Sequence, residues 1–280
     1  MATSKANTPS VITPDAVSTV IFDWAGTVLD FGCVAPVAAF RQAFSEQGLD
    51  ISEAEARAPM GSAKREHIEL ILAQPDVQQR WRRTHGGPSL AVDVDRLYDA
   101  FLRVDAEISA QYSRLIPGTL ETIGVLRDQG IAVGSTTGYP RSIMATLAPL
   151  AQAQGYSPDF CVTADEVAHG RPWPDMLLAN ALALNVRDVR TCVVVDDSPS
   201  GLIAARAAGM WAVGVSVSGN EVGMSLEGWS ALDEAAQARL RQAAEDKLEK
   251  AGAHYVIDSI TELLPVIQNV SERLQAGDRP

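Results

Sequence analysis

Val17-Ser18-Thr19-Val20-Ile21-Phe22-Asp23-Trp24-Ala25-Gly26-Thr27 is the stretch on which the fold turns. A mostly apolar, β-branched run leads straight to an acid, and the acid is followed by the turn-prone Ala25-Gly26-Thr27. A strand buried on both faces carries such a continuous run, whereas a half-exposed strand alternates. Asp23 is therefore expected at the carboxyl end of a buried strand. Ile131 to Ser135, Thr191 to Val195 and Trp211 to Val215 repeat the short apolar run, separated by helix-like stretches, and His254 to Ile257 adds a candidate edge strand. That alternation predicts a parallel α/β sheet. In open sheets of this kind ligands gather beyond the carboxyl ends of the strands. The polar residues at those ends are Asp23, Thr136-Thr137-Gly138 and Asp196-Asp197.

Between Gly32 and about Tyr112 the strand pattern gives way to helical segments, Val34 to Gln47, Ser52 to Ala58, Ser62 to Ala73 and Val94 to Gln111. Ser52 with Glu55 has the spacing of a capping box, and Ser62, after the break at Pro59-Met60-Gly61, is expected to cap the next helix. Gln74 to Leu90, with Pro75, Gly86-Gly87 and Pro88, reads as a loop, and Pro117-Gly118 marks the return to the core. Leu226 to Lys250 reads as a polar helix without chemistry. The expected organisation is a loose leader over 1–14, a core formed by 15–31 and 113–280, and an inserted helical cap over 32–112.

The bulk numbers narrow the functional classes. The 280 residues are 46% hydrophobic and 21% charged, which suits a globular protein rather than a disordered one. A net charge of -12, from 23 basic and 35 acidic side chains, disfavours a nucleic-acid or anionic-membrane surface, so an anionic substrate needs a local positive site. The three cysteines, Cys33, Cys161 and Cys192, match neither a disulfide framework nor a zinc cluster, which fits a reducing cytoplasm.

Asp23-Trp24-Ala25-Gly26-Thr27 resembles the nucleophile loop of the haloacid dehalogenase superfamily, whose usual phosphatase form is D-x-D-x-T. Thr137 follows the second strand as that family's phosphate-binding Ser/Thr does, Arg171 in Gly170-Arg171-Pro172 takes its basic position, and Val195-Asp196-Asp197-Ser198 is its acidic metal motif. Read chemically, Asp23 is a carboxylate nucleophile able to form an aspartyl phosphate. Asp23, Asp196, Asp197 and the Ala25 carbonyl offer the hard oxygens that Mg2+ prefers. Many relatives carry a further acid four positions after the metal aspartate. This chain has Gly201 there, which makes Asp196 the substitute and leaves open which of Asp196 and Asp197 ligates directly. Thr137, the backbone at Gly138 and Arg171 are expected to hold phosphoryl oxygens.

Ala25 is the informative departure. Phosphatases use the second Asp of D-x-D as a general acid because an alkoxide leaving group needs a proton. A carbon leaving group needs an electron sink instead, and a protonated imine on an adjacent aldehyde supplies one. That chemistry requires a lysine. Lys64, in the first turn of a cap helix, is the candidate, because desolvation and the helix dipole both favour its neutral amine. His67 lies three residues on, on the same face. Here the chain resembles the phosphonoacetaldehyde hydrolase branch, with Gly32-Cys33, Pro59-Met60-Gly61, Ser135-Thr136-Thr137-Gly138-Tyr139, Gly155-Tyr156 and Ala208-Gly209-Met210-Trp211 in register.

The resemblance implies a Schiff base on Lys64, proton transfer by His67, a substrate region lined by Met60, Cys33 and Tyr139, and a homodimer formed through the cap. It also implies a Rossmann-like α/β core with an inserted helical cap, acting on a small phosphonate. A P–O phosphatase on the same fold and a non-catalytic binding protein are the rival readings. Ala25 and Lys64 oppose the first, and the retained Asp23, Thr137, Arg171 and Asp197 oppose the second. His85, His169 and His254, and the Asp93, Asp95 and Asp99 set, have the spacing of structural or solvated residues.

Overall fold

A computed structural model describes residues 16–280, so the expected leader over 1–14 lies outside the described residues. The sheet consists of β1 (Thr19–Phe22), β2 (Ala132–Thr137), β3 (Phe160–Thr163), β4 (Cys192–Asp196), β5 (Trp211–Val215) and β6 (Tyr255–Ile257). Its order is β3-β2-β1-β4-β5-β6, and every pairing is parallel. Strand alternation sends Val20 and Phe22 to one face and Ile21 to the other. The first face packs against α6 (Thr119–Asp128), α7 (Arg141–Ala153) and α12 (Leu263–Gln275), and the second against α8 (Asp175–Ala183), α9 (Pro199–Ala207) and α11 (Glu234–Lys250). Phe22 sits opposite Ser135 on β2 and Val195 on β4, which brings Asp23, Thr136-Thr137 and Asp196-Asp197 to neighbouring strand ends.

Between β1 and α6 the described chain is helical: α1 (Val34–Glu46), α2 (Glu53–Arg57), α3 (Lys64–Ala73), α4 (Pro75–His85) and α5 (Ala91–Ile108). On α5, Val94, Leu97, Phe101 and Val104 recur every three or four residues and are buried. They meet α1, where Phe40 stacks on Phe101 at 4.3 Å between ring centroids. Burying each large side chain in this seam contributes roughly 1.5–3 kcal/mol relative to exposing it.

Three local expectations change. Ser62 does not cap α3. The helix starts at Lys64 with Ala63 in the cap position and no side-chain bond, and Ser62 is buried beside the core. The segment read as a loop contains α4, because Pro75 is a favourable first helical residue, Val77 and Trp81 bury one turn apart, and left-handed Gly86 stops the helix. Leu226 to Lys250 is two helices, α10 (Leu226–Ser230) and α11, the second capped anew by Asp233, whose carboxylate accepts the Ala236 N–H at 2.7 Å. The Ser52–Glu55 capping box forms as expected.

His254, just before β6, accepts the Ala212 N–H at Nδ1, 2.8 Å away. Burial first, then the nearby Arg206 and Arg273 guanidiniums, lower its pKa to about 4. The unfolded chain takes up a proton near pH 6.5 while the folded one resists. Stability tied to the neutral ring is therefore full above that value and is lost as pH falls toward 4. Urea midpoints measured from pH 7 to 4 should fall more steeply in the parent than in His254→Asn, which keeps an acceptor but does not titrate. Parallel curves would rule the ring out as a source of acid sensitivity.

Candidate active site

Asp23 follows β1, and its N–H donates to Val195 O at 2.9 Å, so the adjacent strand fixes the start of the loop. The loop then turns through Gly26 at φ 82°, where a Cβ would lie 2.1 Å from Asp197 Oδ2; only glycine permits both the turn and the approach. Pairing across the turn uses Gly26 N with Leu29 O and Leu29 N with Trp24 O, which leaves the Ala25 carbonyl out of it.

The carboxylates of Asp23, Asp196 and Asp197 converge, with one oxygen from each within 4.8 Å of the others. Arg171 Nη2 lies 2.7 Å from Asp23 Oδ1 and 3.1 Å from Asp196 Oδ2, and donates to Thr136 Oγ1 at 2.8 Å. Asp197 Oδ2 accepts the Asn220 N–H at 2.7 Å. Ser198 ties down Asp196 Oδ1 through both its N–H (2.9 Å) and its hydroxyl (2.6 Å). A Cβ built on Gly201 would fall 2.0 Å from Asp196 Oδ2, so the Asp196 carboxylate fills the space in front of Gly201.

All three acids are buried. Burial raises the Asp23 carboxyl to about 6 against the opposing pull of Arg171, and burial with neighbouring Asp23 and Asp196 pushes Asp197 well above the ordinary carboxylate range. Three carboxylates around one guanidinium leave two negative charges when all are ionised. An all-oxygen donor set with that surplus fits one hard divalent cation.

The cap supplies the other wall. Asp23, Ala25, Cys33, Met60, Gly61, Lys64, Thr137, Gly138, Tyr139, Arg171 and Asp197 surround one cavity of about 20 Å3. That volume holds about one water molecule, so the described state is closed. The closeness is built into the loop between α2 and α3: Ser200 Oγ donates to Met60 O at 3.2 Å, and a Cβ on Gly61, at φ 90°, would lie 2.3 Å from Ser198 Oγ.

Lys64 Nζ sits over the Tyr139 ring at 4.7 Å and the Phe40 ring at 5.7 Å, within cation–π range. Burial lowers its pKa, opposed by Cys33, Asp105 and Asp23. His67 lies behind the cavity wall, stacked on Phe40 at 4.0 Å, with Nε2 2.8 Å from Ala56 O. A carbonyl only accepts, so Nε2 carries the proton, and Nδ1 is a lone pair with no partner among the described residues. Burial and the Lys64 charge keep the ring neutral. Cys33 takes a left-handed conformation (φ 49°), and burial raises its thiol well above the ordinary value, which suits a wall residue better than a thiolate.

Sequence reasoning brought Asp23, Lys64, Thr137, Arg171 and Asp197 to one cavity, with Asp196 beneath it. It named Ser198 only as part of the acidic motif, without its role in orienting Asp196, and it missed Asn220, which orients Asp197, and Asp105 on α5. Asp105 is fully buried, and neither carboxylate oxygen has a hydrogen-bond partner among the described residues. Its position four residues after Phe101 and eight after Leu97 puts an acid on the apolar stripe of α5, a signal legible in the helical spacing. Of the histidines read as structural, His85 stacks on Trp81 and His169 meets Asp175 at 3.1 Å.

A family model of haloacid dehalogenase-like hydrolases matches residues 17–209. A phosphonoacetaldehyde hydrolase of Hahella chejuensis is 45% identical over 94% of this chain and 90% of its own length, and one from Pseudomonas fluorescens SBW25 is 45% identical over 95% and 97%. The crystal structure of a phosphonoacetaldehyde hydrolase-like protein from Oleispira antarctica superposes with a TM-score of 0.95, at 46% identity and full coverage of both chains.

Proposed function

This chain belongs to the haloacid dehalogenase-like hydrolases, in the phosphonoacetaldehyde hydrolase family, and from that premise we propose that it hydrolyses the C–P bond of phosphonoacetaldehyde to acetaldehyde and phosphate. The observation that carries the reading is the facing of Lys64 and Asp23 across one closed cavity with Ala25, not an acid, in the loop between them.

In this scheme the neutral Lys64 amine adds to the aldehyde carbon, one proton is taken up from solvent as substrate binds, and water leaves, giving a protonated imine. His67 Nδ1 is the base within the cap that takes up and returns protons. An Asp23 oxygen attacks phosphorus, the C–P bond breaks, and its electron pair passes into the imine to form an enamine. Protonation at carbon and hydrolysis of the imine release acetaldehyde and Lys64. Water then frees phosphate from Asp23. Arg171, Thr137 and the Gly138 N–H hold phosphoryl oxygens, while Met60, Cys33 and Tyr139 exclude water around the aldehyde.

Asp23, Asp196, Asp197 and the Ala25 carbonyl are assigned to Mg2+, which when bound offsets phosphoryl charge. The tightness of the cavity supports treating 32–112 as a cap that parts from the core to admit substrate. No helix among the described residues is long and apolar enough to cross a membrane, and the three cysteines are unpaired, in keeping with a cytoplasmic enzyme. A homodimer through the cap is part of the proposal on resemblance alone.

The test is product analysis. Phosphonoacetaldehyde should yield phosphate and acetaldehyde one to one, the yield should collapse with a chelator, and magnesium should restore it. Turnover of phosphate monoesters with none of phosphonoacetaldehyde would transfer the reading to a P–O phosphatase. Undiminished turnover by metal-free enzyme would remove magnesium from it.

A further inference from the structure

Arg41, Arg65, Arg80 and Arg103, on the cap helices, each meet a carboxylate. Arg57 does not. It ends α2 half-buried, and among the described residues its guanidinium pairs with no acid. Nη1 donates to Gly32 O at 2.9 Å, to Cys33 O at 3.2 Å and to Asn220 Oδ1 at 3.2 Å, and Nη2 donates to Gly223 O at 2.8 Å. Asn220 returns a bond from Nδ2 to Arg57 O at 3.4 Å. Gly223 has φ 67°, and a Cβ there would lie 2.7 Å from the guanidinium, so the core loop is shaped around this side chain.

The acceptors belong to different pieces of the molecule. Gly32 and Cys33 form the crossing from core to cap, and Asn220 and Gly223 lie in the loop after β5. Asn220 is also the residue whose N–H holds Asp197 Oδ2 at 2.7 Å. A path of three hydrogen-bonded groups thus runs from a cap helix, through one core loop, to a carboxylate of the acid cluster. Bonds from a charged donor to neutral acceptors are stronger than neutral pairs, and a planar fork spanning several acceptors has no substitute in lysine.

We propose that Arg57 is a positioning residue that couples closure of the cap to the orientation of Asp197, through the side chain of Asn220. The inference rests on the reading of Asp197 as a metal carboxylate. With the cap closed, Arg57 holds the 219–223 loop and Asn220 holds Asp197; with the cap away, the Asn220 side chain loses both links to Arg57 and keeps only its Nδ2 bond to Glu221 Oε1, 3.1 Å away in the same loop. Because coupling between two binding or closing events is reciprocal, the divalent cation favours the closed cap as strongly as the closed cap favours the cation.

The experiment uses the full chain with Mg2+ alone and reads hydrogen exchange in peptides covering residues 30–36, 57–64 and 217–224. In the parent, Mg2+ should slow exchange in all three. Arg57→Met keeps the apolar stem and removes the fork, and Asn220→Ala removes the side chain but keeps the N–H that binds Asp197. Each should cut the Mg2+-dependent slowing in 30–36 and 57–64 at least tenfold and raise half-saturating Mg2+ by a similar factor. Their melting temperatures should stay within a few degrees of the parent. The double variant should lose little more than either single one, because both break one path. Arg57→Lys should not rescue.

Retained Mg2+-dependent slowing in Arg57→Met, or additive losses in the double variant, would overturn the coupling and leave Arg57 a structural clasp. A parent that shows no slowing overturns it equally. None of these readouts requires phosphonoacetaldehyde, so a failure of the substrate assignment is seen separately in the product assay.

Discussion

Asp23→Asn is expected to abolish phosphate release, by at least ~10^4-fold or about 5 kcal/mol of transition-state stabilisation, while the protein stays folded. The amide nearly matches the carboxylate in volume and still accepts from Arg171, whose Nη2 lies 2.7 Å from Asp23 Oδ1. What it lacks is the nucleophilic charge. The structure adds a second sign to the expectation. Three buried acids surround one guanidinium, and burial and like charge already disfavour ionisation at Asp23. Deleting one charge should therefore leave the melting temperature in magnesium-free buffer at neutral pH unchanged or higher. Rapid-quench phosphate measurements and thermal melts check both halves. Near-parental turnover would remove Asp23 as nucleophile, and a large drop in melting temperature would show the site is stabilised by that charge.

Lys64→Arg should cost at least ~10^3-fold, about 4 kcal/mol, because guanidinium stays protonated and forms no imine under these conditions. Arginine keeps the positive charge, so an electrostatic role would survive the change where an electron-sink role would not. The site is buried and the replacement is larger, so roughly 1–3 kcal/mol of overpacking is expected in the melt and must be measured beside the rate. Borohydride with acetaldehyde should label the parent at Lys64 and leave the variant unlabelled. Labelling should also extend to lower pH than for an exposed lysine, since burial favours the neutral amine. An active arginine variant, or label on a different lysine, would return the P–O reading.

Much of this architecture was legible because chemistry and folding use the same residues at the strand ends. An uninterrupted apolar run ending in Asp23 and another ending in Asp196-Asp197 announce both a buried parallel strand and a carboxylate at its tip. β3 leaves little trace in the sequence because it is a short edge strand with Phe160 exposed, and so lacks the continuous apolar run of a strand buried on both faces. α4 escaped because Pro75 and Gly86-Gly87 look like loop punctuation until they are seen to bracket a helix. Arg57 left no pattern at all, since three of its acceptors are backbone carbonyls that any sequence would provide.

Asp196 and Gly201 amount to one seat with two possible owners. The strand-end carboxylate lies where a side chain from the helix would project, 2.0 Å from the position of a Cβ. Adding an acid at 201 alone crowds two anions into one space, and removing the acid at 196 alone empties it. The two arrangements are therefore separated by a pair of changes whose intermediates are both defective. A lineage, or a library searched one substitution at a time, that begins with the acid on the strand stays there.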